Sequence, residues 1–327
     1  MKTIKKLSIL IIIFIALSCS NDDSSNEDET KATAKDIYVC GYEQKTKDGK
    51  LIASVWKNGV VTNLTDGTKS AIAMDIIVAG EDVYVAGYEM ENNFKKAKVW
   101  KNGIPTNLTN SYVDSVAEKI IVIGADVYVK GTVVENGRYQ VKLWKNGVEL
   151  YSPKADIYSF EVNNSDVYMV GREGGYAKVW KNGVGTNLTN GDAYSTGYDI
   201  IVKGNDVYVV GIESVAGVSV ARLWKNGVAS SLSDGKFNAA ASSISIVGND
   251  IYVSGSEENS KYTSKIWKNG EVIWAKENIS TLDLEVVGQD YYLLSNATGA
   301  KIYKNGLSGE LSLALNSTAY ALFITRN

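Results

Sequence analysis

From residue 35 onward the chain is built of short apolar runs separated by polar or glycine-containing breaks. One stretch shows the grammar. Asp75-Ile76-Ile77-Val78 is followed by the compact break Ala79-Gly80-Glu81-Asp82 and a second run, Val83-Tyr84-Val85-Ala86-Gly87. A polar segment from Tyr88 to Lys95 leads to Ala97-Lys98-Val99-Trp100-Lys101, then Asn102-Gly103, then Ile104 to Leu108. Runs this short, rich in β-branched and aromatic residues, predict strands and not helices. Asn-Gly between two such runs is a strong hairpin signal, because a type I′ turn needs positive φ at both central residues. The pattern predicts four antiparallel strands: A (Asp75 to Val78), B (Val83 to Gly87), C (Ala97 to Lys101) and D (Ile104 to Leu108).

The same unit recurs. Trp-Lys-Asn-Gly begins at Trp56, Trp100, Trp144, Trp180, Trp224 and Trp267, and a weaker copy reads Tyr303-Lys304-Asn305-Gly306. Before each copy stands an aspartate opening strand B: Asp36, Asp82, Asp126, Asp166, Asp206, Asp250 and Asp290. Their spacings are 46, 44, 40, 40, 44 and 40 residues, a period suited to one four-stranded propeller blade. Strand D departs from its usual Thr-Asn-Leu form in units three, six and seven, at Glu149-Leu150-Tyr151, Val272-Ile273-Trp274 and Gly309-Glu310-Leu311. The first unit starts directly at strand B, Asp36-Ile37-Tyr38-Val39, while a spare A-like run, Ala321-Leu322-Phe323-Ile324, stands at the other end. Pairing the two completes a blade and removes open sheet edges. The expected fold is all-β, a seven-bladed β-propeller over residues 35–327 with four antiparallel strands per blade, its first blade closed by the C-terminal strand. An open β-solenoid is the alternative, but it would want shorter repeats and capping units.

In such a ring each blade is covered on both faces, so Tyr84, Trp100 and their equivalents are expected to pack between blades. Asp82 and its copies are expected to hold the A–B turn through local backbone amides. Lys101 and Asn102 read as solvated turn residues, and Cys40 as a small buried residue.

Composition adds exclusions. The 327 residues contain no histidine, which removes the commonest general base and metal ligand. A net charge of −3 leaves no electrostatic footprint for nucleic acid. The two cysteines, Cys19 and Cys40, have different expected fates, so no disulfide is expected.

The first eighteen residues read as a leader. Lys2, Lys5 and Lys6 precede an apolar run from Leu7 to Leu17 that is too short to span a bilayer. It ends in Ala16-Leu17-Ser18-Cys19, which is similar to the lipobox of bacterial lipoproteins. That resemblance implies cleavage before Cys19 and lipidation of its thiol; an ordinary signal peptide with an incidental cysteine is the alternative. Residues 19–34, in which Cys19 is followed by ten residues that are Ser, Asn, Asp or Glu only, read as an acidic, disordered tether. The segment resembles the export signal of surface lipoproteins of Bacteroidota, the alternative being a neutral spacer on a periplasm-facing lipoprotein. The alternation of Asp-apolar-Tyr strands with Val-Trp-Lys-Asn-Gly hairpins resembles uncharacterised β-propeller lipoproteins of Bacteroidota. It implies a cell-envelope address, outer-membrane anchoring and surface exposure, with the membrane as partner through the lipid. It transfers no catalytic residue. The WD-repeat signature and the sialidase Asp-box are both missing from the sequence.

The D–A and B–C loops share one face and vary between units, as binding loops on a rigid frame do. Seven residues before each aspartate lie Asp75, Lys119, Ser159, Asp199, Ser243 and Asp283, expected around the axis at that face, with Glu118, Tyr158 and Tyr198 beside them. Variable loops add Tyr112, Asp114, Tyr139, Tyr194 and others. Carboxylates beside aromatic rings suit sugars, so Asp75, Lys119, Tyr158, Tyr194, Tyr198, Asp199 and Asp283 form the candidate ligand set. The plainer reading is that Asp and Ser cap loop ends while tyrosines cover loop edges. Arg138, Arg172 and Arg222 in consecutive units suggest a weaker carboxylate clamp, or rim residues paired with Glu135, Glu173 and Glu213. Three functions stay open: a binding module for glycan or an envelope protein, a glycoside hydrolase or lyase using the axial carboxylates, or a purely structural scaffold. No nucleophile motif, cofactor motif or metal-ligand cluster is evident, and none of these groups is expected.

Overall fold

The computed structural model describes residues 31–110, 112–296, 300–312 and 317–327. The expected leader, Cys19 and the acidic stretch up to residue 30 lie outside the described residues. Seven four-stranded antiparallel sheets form, and their inner strands meet in sequence around a closed ring. Blade 2 is Ala71–Ala79, Asp82–Glu91, Phe94–Lys101 and Ile104–Asn107, from axis to rim. Its strands A, B and C are longer than the sequence pattern suggests: A gains the apolar Ala71 to Met74 before Asp75, while Glu89, Glu91, Lys95 and Lys96 are among the polar residues that continue the ladder of B and C. In blade 1, Ser317–Arg326 is the inner strand, paired antiparallel with Ala34–Glu43, and Ile52–Lys57 and Val60–Asn63 follow outward. The ring is closed as expected from the two ends of the sequence. Units three, six and seven, whose strand D departs from the repeat, are the three in which the C–D ladder carries a register shift.

The core is not one cluster. It is seven seams, each built where one blade meets the next. In the seam of blades 1 and 2, Trp100 of blade 2 packs with Tyr38, Cys40, Ala53 and Val55 of blade 1. Trp224 likewise meets Tyr168 and Val170 of blade 4, and Trp267 meets Tyr208 of blade 5. The Tyr and Trp of the repeat are therefore the two sides of each seam, and burying rings of this size dominates the packing energy. Cys40 is a free, fully buried thiol in this seam.

The repeated aspartate does something other than hold its own turn. Asp82 accepts from Lys101 Nζ (2.8 Å) and from Asn102 Nδ2 (2.7 Å), while Asn102 Oδ1 accepts from Val83 N–H (2.8 Å). The Lys101 ammonium lies over the Tyr84 ring at 5.1 Å. Strand B is thus tied to the C–D hairpin by side chains, and the same Asp–Lys–Asn knot recurs in blade 1 with Asp36, Lys57 and Asn58 and in blade 7 with Asp290, Lys304 and Asn305. Asn102 (φ 50°) and Gly103 (φ 80°) adopt the left-handed conformation that the type I′ turn requires. Lys101 and Asn102 are therefore turn residues with assigned partners. Their carboxylate partner sits below the usual aspartate range, first because of the Lys101 bond and then because of Asn102.

Every inner strand carries one β-bulge. In blade 2 the register jumps between Ala73 and Asp75, leaving Met74 as the extra residue. The equivalent extra residues are Glu118, Tyr158, Tyr198, Ser242 and Leu282 in blades 3 to 7 and Tyr320 in blade 1. The bulge explains a glycine in strand B: a Cβ on Gly87 would stand 2.1 Å from the Ile72 carbonyl oxygen.

Candidate functional site

The seven bulges aim one side chain per blade at the axial opening on the face of the D–A and B–C loops, and all seven line that opening. Just inside lies the ring of Asp75, Lys119, Ser159, Asp199, Ser243 and Asp283, at the positions that the spacing indicates. The three aspartates clasp neighbouring blades. Asp75 accepts from Ile120 N–H (2.8 Å), Asp199 from Ile244 N–H (3.1 Å) and Asp283 from Leu322 N–H (2.9 Å), each donor being on the next inner strand. Asp75 and Asp283 use their other oxygen on the amides of Ile76 and Leu284. Lys119 reaches across blade 4: its Nζ donates to Ser159 Oγ (2.7 Å) and to Asp199 Oδ1 (3.3 Å). Ser159 Oγ also donates to Asp199, at 2.7 Å.

Below this ring a channel of about 360 Å³ runs between Ile77, Ile121 and Ile201, with Glu161, Glu285 and Phe323 among its walls. Burial pushes Asp75 up to about 7, Asp283 up to about 6 and Glu285 up to about 8. Glu161 is raised for the same reason. Lys119 stays charged: burial opposes the charge, but the carboxylates of Asp199, Asp75 and Glu161 outweigh it. Among the described residues no cluster of His, Cys, Asp and Glu has the arrangement to hold a metal ion. The axial carboxylates are chiefly engaged in joining blades and neutralising Lys119.

The repeat breaks beside this opening. After blades 1, 2 and 4 the D–A connection has seven residues: 64–70, 108–114 and 188–194. In each case it folds over the start of strand C of its own blade. After blade 2, Leu108 N–H bonds to Ala97 O (2.9 Å), Ser115 Oγ accepts from Ala97 N–H (3.0 Å), and Asp114 accepts from Lys95 N–H (2.8 Å). After blade 3 the connection is only residues 152–155. It is too short to make that fold, so the start of strand C, Arg138–Lys145, stays uncovered. The position filled by fully buried Ala97 or Ala177 elsewhere is the half-buried Val141 here. Blade 6 also has a short connection, 278–280, but its outer strand is extended to Glu277 and pairs as far as Thr263, covering the equivalent place.

The result is a cleft of about 610 Å³ between blades 3 and 4. Its walls include Asp114, Tyr139, Val141, Asp156, Tyr158 and Arg172, and its inner end is Glu118 and Lys130. Glu118 is held by Lys130 Nζ and by Thr132 Oγ1. Asp156 and Arg172 form a cross-strand ion pair (2.5 Å), where blade 2 has Ile72 facing Tyr88. The Arg172 guanidinium stacks on the Tyr194 ring at 5.0 Å and donates to its hydroxyl. Tyr158 meets Tyr198 edge-on, with ring centroids 5.3 Å apart. Tyr158 and Tyr194 remain 42% and 48% exposed, so their rings are available to a ligand. Burial raises the Tyr158 and Tyr198 hydroxyls above the usual tyrosine value, which keeps both protonated as hydrogen-bond donors.

Of the candidate ligand set, Tyr158, Tyr194 and Tyr198 come together around Arg172, and Asp75, Lys119, Asp199 and Asp283 share the axial ring. Tyr158, Glu118 and Lys130 border both the cleft and the axial opening, which makes the two one continuous surface. The three arginines do not converge: Arg172 faces Tyr194, Arg222 pairs with Glu213 (2.8 Å), and Arg138 sits at the outer end of the cleft. Glu135 and Glu173 are instead paired with Lys142 and Lys178. Met74, Ser242, Leu282 and Tyr320 complete the rim, and nothing in their own type marks them; only the bulge does. No protein-family model and no curated protein matches this sequence.

Proposed function

We propose that the chain is a carbohydrate-binding module of the cell envelope, held by a lipid on Cys19 and exposed at the outer-membrane surface. The observation that carries the binding reading is the continuous surface formed by the uncovered blade 3, the Tyr158–Tyr198 pair and the Arg172–Tyr194 stack. Half-exposed rings beside fixed hydrogen-bonding groups fit the apolar face and the hydroxyls of a pyranose. Its floor is rigid, because the side chains beneath it are engaged with each other. The axial aspartates have the role of blade clasps in this reading, not of a hydrolytic pair.

The lipid anchor rests on residues 1–19, and topology supports its use. Strand B of blade 1 begins at Ala34 on the face of the Asp–Lys–Asn knots, opposite the cleft. Fifteen residues separate Cys19 from Ala34 (34 − 19), a reach of at most about 50 Å. An anchor there would leave the cleft pointing away from the membrane. The test is a glycan and polysaccharide screen on the full mature chain, followed by Tyr158→Ala and Tyr194→Ala. Each substitution should weaken a genuine hit about 5-fold, since an aromatic platform contributes about 1 kcal/mol. Capture of a protein partner with no glycan hit, unaffected by either substitution, would refute the carbohydrate reading. Metabolic labelling with a clickable fatty acid, lost in Cys19→Ala, tests the anchor separately.

A further inference from the structure

The cleft is unevenly committed in charge. Its carboxylates are occupied: Glu118 by Lys130 and Thr132, Asp156 by Arg172, and Asp114 by the Lys95 amide. Two grooves continue it outward, of about 400 and 430 Å³, and Lys154 borders both. Glu173 at the edge of the second is taken by Lys178. The cations are not all taken. The side chains of Arg138 and Lys154 are exposed and form no ion pair or hydrogen bond among the described residues. Both stand where the connection is short: Arg138 opens the uncovered strand C of blade 3, and Lys154 lies in the connection itself, residues 152–155. Between them Tyr139 is 78% exposed. A local excess of free positive charge on a chain of net charge −3 is matched by a ligand that brings negative charge along its length.

We infer that this groove takes an acidic polysaccharide, a chain of uronate sugars. This rests on the carbohydrate reading above and narrows it to a class. The polymer lies from Tyr139 at the outer end to Tyr158 beside the axial opening, with pyranose faces on those two rings. Uronate carboxylates meet Arg138, whose planar guanidinium binds a carboxylate through two parallel hydrogen bonds, and Lys154, a mobile point charge. Arg172 serves as a wall, since Asp156 and Tyr194 already occupy it. A neutral polysaccharide would use the rings and gain nothing from the two free cations.

The experiment measures affinity of the full mature chain for polygalacturonate, alginate and hyaluronan, and for each polymer with its carboxylates methyl-esterified. The expected result is at least one uronate polymer bound about 10-fold more tightly than its ester. That margin should shrink as salt rises, as exposed charge pairs do. The Arg138→Ala/Lys154→Ala double variant should abolish the margin at an unchanged melting temperature. Equal affinity for acid and ester would overturn the acidic class and leave the carbohydrate reading standing. A margin that survives in the double variant would overturn the site. Binding to none of the three acids overturns the inference, and if the general glycan screen is also blank, the carbohydrate reading falls with it.

Discussion

Replacing Glu285 with glutamine should stabilise the ring at neutral pH and leave it unchanged in acid. Glu285 lies in the axial channel, where burial first, and then the neighbouring Asp283 and Asp75, raise it from 4.5 to about 8. Arg326 and Lys119 pull the other way without prevailing. The sign follows from linkage. Below pH 4.5 the group is protonated in both folded and unfolded chains, and its contribution to stability is complete. Between 4.5 and about 8 the unfolded chain releases the proton while the folded chain retains it, so stability falls as pH rises. Each pH unit in that window costs about 1.4 kcal/mol. From 4.5 to pH 7 the loss is about 3 kcal/mol, reduced toward about 2 by the side chain's partial contact with channel water. Asp75 and Asp283, also raised, add slope of the same sign. Glutamine retains the shape and cannot ionise. Urea midpoints of Glu285→Gln and the parent chain, taken at half-unit steps from pH 5 to pH 9, should therefore diverge in favour of the variant. A gap that stays constant across that range would show that Glu285 ionises normally in the folded state, and the reasoning would fail.

Three further outcomes follow from particular contacts. Gly87→Ala sets a Cβ 2.1 Å from the Ile72 carbonyl oxygen, so the blade 2 bulge must shift, costing about 3 kcal/mol in a denaturant titration; full stability would refute the bulge. Asn102→Ala removes two hydrogen bonds and puts alanine at φ 50°, and should cost about 2 kcal/mol, while Asn102→Gly should cost less because only the bonds are lost. The Cys40 thiol, raised by burial, should resist a thiol reagent in the native protein and react fully in 6 M guanidinium; fast native labelling would contradict its placement in the blade 1–2 seam.

The ring could be read from the sequence because its information is repeated. Asn-Gly with an apolar run on each side dictates the outer hairpin seven times, and the Asp36 to Asp290 ladder fixes the blade count without any three-dimensional knowledge. Strand A was legible only from Asp75 to Val78, because Ala71 to Met74, though apolar throughout, shows no alternation and is poor in β-branched residues. The bulge itself was not legible: it depends on Gly87 allowing close approach of the Ile72 carbonyl, and that closeness is a property of two strands together. The same holds for the Asp82–Lys101–Asn102 knot, whose members are close to one another only after strands B and C have paired. At the site, the spacing placed Asp75, Lys119 and Asp199 on the axis but gave no sign that their polar atoms face neighbouring strands and one another. The cleft did leave a signal, the gap of four residues between Tyr151 and Asp156 where units one, two and four have seven. Its meaning required knowing what the longer connection covers.

The strand that closes the ring has a consequence in time. Asp36 and Thr325 are bonded across 289 residues, so the first blade cannot form until the last strand of the ring has been synthesised. Until then blade 1 has three strands and an unpaired inner edge, and the seam between blades 7 and 1, with Trp56 and Tyr292, is open. Six blades can assemble as they emerge, while the whole remains an incomplete arc with sticky ends. A chain stopped or clipped before Ser317 never leaves that condition, and differs from the finished molecule not by a small loss of stability but by a permanently exposed strand edge that proteases and chaperones recognise.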